Sequence, residues 1–193
     1  MSRRLLRIGE AALQRPAQRV PHPVGGKMGR LIDRLVDTLF ERSLISLSAP
    51  QIGIGLRLIA LRMPDANGDS DATRTRRGAL VLVNPVLTSL GCDTDVDFES
   101  CTSVPGARGT VRRHRSVRFD ALDHAGRAVQ GELHGLAART LQHQCDHLDG
   151  ILFPMRMGVD WSVEVKACLA KQDVATTTAQ GWRVLGVRRA ACH

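Results

Sequence analysis

The sequence predicts an α+β fold in one compact domain, and three observations carry that prediction. One helix-period segment comes first, a block of strand-like segments separated by turn residues follows, and a second helix-period segment closes the recognisable part. Strands grouped ahead of a core helix argue against a parallel doubly wound sheet, in which the two alternate. At 193 residues the chain is long enough to bury a real core, and an apolar content of 43% excludes a disordered chain.

The elements follow in order. Between residues 28 and 42, Leu31, Ile32, Leu35, Val36, Leu39 and Phe40 share one face at helical spacing, which marks an amphipathic helix. Residues 56–62 and 79–84 read as strands, the second closed by Pro85. The polar, turn-rich stretch over 64–78 reads as an exposed loop. Val117, Phe119 and Ala121 alternate as in a half-buried strand, and Asp123 to Gly126 turn the chain into another strand near 127–133. From about His134 to Leu148 the period is helical again, with Gly150 as the stop signal. After Met157 the pattern weakens. Residues 161–171 suit a short helix, and 172–193 suit a loose tail or late strand. The domain is therefore placed at 1–160, with 161–193 as a divergent C-terminal segment.

Composition bounds the partners. The net charge is +8, carried mostly by arginine, which fits a solvated basic surface or a polyanionic neighbour such as RNA. Two Trp, four Phe and no Tyr leave few platforms for stacking bases, and specific DNA binding is not expected. No apolar run approaches the roughly 20 residues that span a bilayer. The start, MSRRLLRIGE, lacks the apolar core of a signal peptide, so a cytoplasmic protein without membrane contact is expected. Five cysteines with no CxxC pair argue against a disulfide framework and for a cysteine used as ligand or nucleophile.

His143 and His147 stand four residues apart, so their imidazoles lie on one helix face and can chelate a cation. That spacing alone fits ordinary polar helix residues equally well. Cys145 points to another side of the helix, so a third ligand must come from elsewhere. Cys101, in the turn-like stretch Glu99 to Gly106, offers a thiolate suited to Zn²⁺ or Fe²⁺. Three protein ligands leave a fourth position for water, which is the pattern of a catalytic site.

Three ordered motifs then give the chain a family resemblance. Leu44-Ile-Ser-Leu-Ser-Ala-Pro-Gln51, Glu99-Ser-Cys-Thr-Ser103 and Gln142-His-Gln-Cys-Asp-His-Leu-Asp-Gly150 resemble the three motifs of the peptide deformylases. These enzymes remove the formyl group from the N-terminal methionine of new bacterial and organellar proteins. The similarity runs from Leu5 to Met157 and fades over the last 30 or so residues. It implies small antiparallel sheets wrapped around a central metal-binding helix, with Cys101, His143 and His147 as ligands. The implied cofactor is one divalent ion, Fe²⁺ in the family, with Zn²⁺, Ni²⁺ or Co²⁺ as substitutes. Gln51 and the backbone N–H of Thr102 are the implied donors to the formyl oxygen, where negative charge develops. The implied partner is a formylated nascent N-terminus, and the basic surface suits association with the ribosome.

The resemblance breaks at Gln144, where the family has a glutamate that carries a proton from water to the departing amine. An amide keeps the shape but cannot shuttle the proton, a loss of about 10²–10⁴-fold, or roughly 3–5 kcal/mol of barrier. Leu44, Ser46 and Ser100 also stand where the motifs have glycine. Either those glycines supply positive φ or close approach, and the peptide groove is altered, or the backbone there is ordinary and tolerates side chains. The leading expectation is a deformylase-like metalloprotein with weak or lost hydrolysis. A hydrolase with another proton shuttle, a non-catalytic binder of short or formylated N-termini, and a zinc peptidase are the alternatives. The zinc-peptidase reading leaves Cys101 and Gln51 unused.

Overall fold

A computed structural model describes residues 4–21, 26–62, 75 and 77–157. The first amphipathic segment forms α1 (Lys27–Glu41), which buries Ile32, Leu35, Val36 and Leu39. Then come β1 (Ser46–Ser48), β2 (Leu58–Arg62), β3 (Ala79–Ser89), β4 (Thr94–Cys101), β5 (Val104–His114), β6 (Ser116–Leu122) and β7 (Ala128–His134). The chain enters α2 (Gly135–Leu148) directly from β7. Strands β1-β2-β3-β6-β7 make one antiparallel sheet in that order, and β4 pairs with β5 as a separate hairpin. The architecture is the α+β arrangement that the sequence predicts.

The apolar runs of β2 and β3 are explained by burial on both faces. Ile59, Leu61, Leu80 and Leu82 pack with Val117, Phe119 and Leu133 against Ala137, Leu141, Cys145 and Leu148 of α2. Their neighbours Leu58, Ala60, Ala79, Val81 and Val83 pack against Ile32, Leu35 and Leu39 of α1. A period of two thus sends alternate residues to different helices, each large side chain contributing about 1.5–3 kcal/mol by burial. A third cluster, Val104, Ala107 and Val111 with Leu152 and Phe153, seats the hairpin.

Two expectations need correction. Pro85 does not close its strand, because β3 runs on to Ser89 through a bulge between Val83 and Val86. Proline has no N–H to give a ladder, and a bulge spares the strand that loss. Asn84 takes the left-handed conformation there (φ 53), and its side chain clamps the backbone N–H and C=O of Val20 at 2.8 and 2.9 Å. The stretch around Cys101 is the end of one strand and the start of the next, with only Thr102 and Ser103 between them.

Gly150 is a stop signal for two reasons. Its φ is 74°, and an added Cβ would lie 2.7 Å from the carbonyl oxygen of Gln14. The expectations for 161–171 and 172–193, and most of the loop over 64–78, fall outside the described residues. No described helix is long and apolar enough to cross a membrane.

Candidate metal centre

Helix α2 carries His143 and His147 with ring centroids 5.0 Å apart in an edge-to-face arrangement. The last residue of β4 is Cys101, and its Sγ lies 3.2 Å from His147 Nε2. One ligand atom from each of Cys101, His143 and His147 falls within 4.8 Å of the others. Donors on a tetrahedral ion of zinc's size stand about 3.5 Å apart, so this thiolate and two imidazoles fit one such cation. Cys145 lies in the core between helix and sheet, where burial pushes its thiol up to about 12. The helix-face separation of Cys145 from the histidines is what the structure shows.

Glu99 and Cys101 are two residues apart on β4, and Glu99 Oε2 lies 2.8 Å from His143 Nδ1. An ionised carboxylate can only accept, so Nδ1 carries a proton and Nε2 is left to face a cation. Glu99 in turn accepts from Arg113 Nε at 2.8 Å and Nη2 at 2.9 Å, and from Arg139 Nη1 at 3.0 Å. Arg113 also donates to Asp146 at 2.6 Å, and Asp146 accepts from Arg156 at 2.7 Å. Arg139 ties the hairpin to α2 through the carbonyls of Val111 and Asp95, at 2.7 and 3.0 Å. Burial pushes the Glu99 carboxyl up, but Arg113 and His143 beside it win and hold it at about 2.

Gln51 is set by local sequence. Ser48-Ala-Pro-Gln51 is a capping box: Gln51 Oε1 accepts from the Ser48 backbone N–H at 3.0 Å and lies 3.1 Å from its hydroxyl. Its Nε2 is thereby turned toward Ser103 Oγ at 3.2 Å and Cys101 Sγ at 3.6 Å. Thr102 is exposed in the tight connection beside them. The N-terminal segment lies over both motifs, with Leu6 N–H donating to Gln51 O at 2.8 Å and Ile8 N–H to Ser103 O at 2.7 Å.

Gln144 is buried, and its Nε2 donates to Ser46 Oγ at 2.8 Å. Its Oε1 is buried with no hydrogen-bond partner among the described residues, as is His147 Nδ1. Leu44, Ser46 and Ser100 have no positive φ; among the described residues, Ser43 (φ 52) and Asn84 (φ 53) are the non-glycine residues that do. The backbone at the three former glycine positions is therefore ordinary, and any change there comes from the side chains.

Burial would push the Cys101 thiol up, but His147 and His143 hold it well below its usual value, so it stands as a thiolate. Burial would lower His143, but Cys101 and Glu99 hold it up at about 9. A cation entering below that pH must displace the His143 proton and need not displace one from Cys101. Calorimetry in buffers of different ionisation enthalpy should find about one proton released per ion near pH 7, and almost none near pH 10. Release of two protons near pH 7 would show that His143 is not the only source of the displaced protons.

A family model described as polypeptide deformylase matches residues 2–160. Peptide deformylase 1 of Nitrosomonas europaea is 36% identical over 157 residues, covering 81% of this chain and 88% of that one. Peptide deformylase 1 of Bordetella pertussis is 36% identical over 153 residues, covering 79% and 86%. A peptide deformylase crystal structure from Legionella pneumophila has a TM-score of 0.74 at 32% identity, covering 88% of this chain and 94% of that one. A Met-Ala-Ser-bound class I type b peptide deformylase from Acinetobacter baumannii has a TM-score of 0.70 at 29% identity, covering 81% and 98%.

Proposed function

The chain belongs to the polypeptide deformylase family, and from that premise we propose that it is a metal-dependent hydrolase of N-terminal formyl groups whose turnover Gln144 holds low. The observation that carries the reading is the meeting of Cys101, His143 and His147 beside the anchored amide of Gln51. The substrate class is a formyl-methionyl peptide, and the Acinetobacter relative holds the tripeptide Met-Ala-Ser. Cys101, His143 and His147 would hold one divalent ion, Fe²⁺ by resemblance or Zn²⁺, Ni²⁺ or Co²⁺ in its place. When bound, the ion supplies Lewis acidity, drawing electron density from an oxygen atom.

The chain's own groups do the rest. Glu99 fixes the tautomer and ring plane of His143 through the 2.8 Å contact, a role that needs its carboxylate charged. Gln51 Nε2 and the backbone N–H of Thr102 donate to the formyl oxygen as it gains negative charge. Ser48 holds the other end of the Gln51 amide, so that donor is already oriented before substrate arrives. The departing amine needs a proton, and Gln144 has none to exchange near neutral pH. That step is the slow one.

The test loads the protein anaerobically with Fe²⁺ or Ni²⁺ and compares it with Gln144→Glu on a formyl-Met peptide. The expected result is low activity in the chain as sequenced and a gain of at least about tenfold in the variant. Equal and robust activity in both would sink the role given to Gln144. Inactivity in both, with metal bound, would move the cause to the side chains of Leu44, Ser46 and Ser100. Tight peptide binding without turnover in either would favour a binder over a hydrolase.

A further inference from the structure

The two faces of the β4–β5 hairpin differ in charge. Asp95, Asp97 and Glu99 alternate along β4 with Val96 and Phe98, so the carboxylates share one face and the apolar pair takes the other. On β5, Ala107, Val111 and Arg113 are buried, while Arg108, Thr110, Arg112 and His114 are exposed. The register sets Val96 opposite Arg112, Phe98 opposite Thr110 and Ser100 opposite Arg108, which gathers these side chains on the outer face. That face carries no acidic residue. Among the described residues nothing covers it, and Val96 is 49% and Phe98 56% exposed. The Arg108 guanidinium carbon lies 4.2 Å from the centroid of the Phe98 ring, and Arg112 donates to Thr94 Oγ1 at 3.2 Å. Neither arginine meets a carboxylate among the described residues, unlike the buried Arg113 and Arg139.

We propose that the outer face of this hairpin binds unpaired RNA, with a base stacked on the Phe98–Arg108 pair and a neighbouring phosphate on Arg112. The site goes beyond the hydrolase reading and stands without it, since it uses the face of β4 turned away from Glu99 and the metal centre. A ring and a guanidinium held together present flat surfaces that any nucleobase can cover, and uncompensated arginines suit phosphate. A second copy of the chain fits poorly, because a two-fold contact would set these arginines against their own counterparts. A lipid surface fits poorly too, because two half-exposed apolar side chains offer little area to an acyl layer.

The experiment titrates the zinc-loaded full chain into a fluorescein-labelled oligouridylate of about 12 nucleotides and reads anisotropy. Phe98→Ala is expected to weaken binding by about tenfold, and Phe98→Trp to keep or strengthen it. Arg108→Lys keeps the charge but loses the flat stack, so affinity should fall with its salt dependence unchanged. Arg112→Ala should reduce the slope of log affinity against log salt by about 0.7. Arg30→Ala removes the same charge from an exposed position on α1 and should change affinity by less than about twofold. On a blunt RNA duplex, whose bases are already stacked, Phe98→Ala should make no difference. Absence of binding at low salt overturns the proposal. So does an equal loss in Arg30→Ala and Phe98→Ala, which would assign the binding to general surface charge. A dimer that Phe98→Ala dissociates would overturn it in favour of a second copy, and binding to anionic vesicles without binding to RNA would overturn it in favour of a lipid surface.

Discussion

Cys101→Ala is expected to abolish stoichiometric metal binding and all hydrolysis that depends on it, whereas Cys145→Ala should leave both nearly unchanged. Cys101 is the one thiolate of the cluster, with Sγ 3.2 Å from His147 Nε2 and within reach of His143. Removing it leaves two imidazoles four residues apart, which hold a divalent ion far more weakly than three ligands of mixed type. Cys145 sits in the opposite direction, packed with Ile59, Leu82 and Leu141, and its alanine variant loses only packing. Metal content after desalting, measured by elemental analysis, decides the matter. Metal retained by Cys101→Ala and lost by Cys145→Ala would overturn the assignment of ligands.

Arg113→Ala is expected to destabilise the fold by about 3–5 kcal/mol, because it leaves two buried carboxylates short of their main partner. Arg113 is itself only 6% exposed and bonds Glu99 with two nitrogens and Asp146 with the third. Arg139 and Arg156 still reach those carboxylates, which puts the effect toward the lower end of that range. The effect also depends on pH. Glu99 is held at about 2 in the fold against roughly 4.3 unfolded, so its contribution is complete above the unfolded value. It is lost as pH falls from there through 2. Urea unfolding at pH 7 and pH 3 should show the unsubstituted chain losing stability between the two, and the variant losing less, because without Arg113 the Glu99 carboxyl is held less far below its unfolded value. A loss below about 1 kcal/mol at pH 7 would mean that the network is held by its other members.

The two helices, strands β2, β3, β6 and β7 of the sandwiched sheet and the three candidate ligands were legible in the sequence because each carries a periodic or chemical signature, whereas the short β1 was not read. Apolar residues recur every third or fourth position in α1, and the unbroken apolar runs of β2 and β3 reflect packing on both faces. The hairpin was not legible, since Val96 and Phe98 alternate with acidic residues on β4 but face outward, while the charged Glu99 is the residue that is buried. The ion-pair network was hidden for a related reason. Arg113 and Arg139 look like members of a solvated arginine surplus until the fold closes over them. Asp146, next to a ligand in sequence, was a partial signal, as was Glu99 at strand spacing from Cys101. The capping box at Ser48 to Gln51 was written in four residues and is what aims the Gln51 donor.

The hydrogen bonds from the N-terminal segment set an order of assembly. Leu6 and Ile8 tie to Gln51 and Ser103, and Ala17 N–H meets Leu148 O at 2.7 Å, at the far end of α2. A chain made from its N-terminus thus offers Ala17 a partner, Leu148, that is translated much later. Such long-range closure slows folding, because the entropy of the intervening loop is lost before the contact repays it. The ligands themselves span residues 101–147, so vectorial synthesis cannot present a native cation pocket until nearly all of the described chain is free. Ion capture and the last docking of the N-terminal segment therefore belong to the same late stage of maturation.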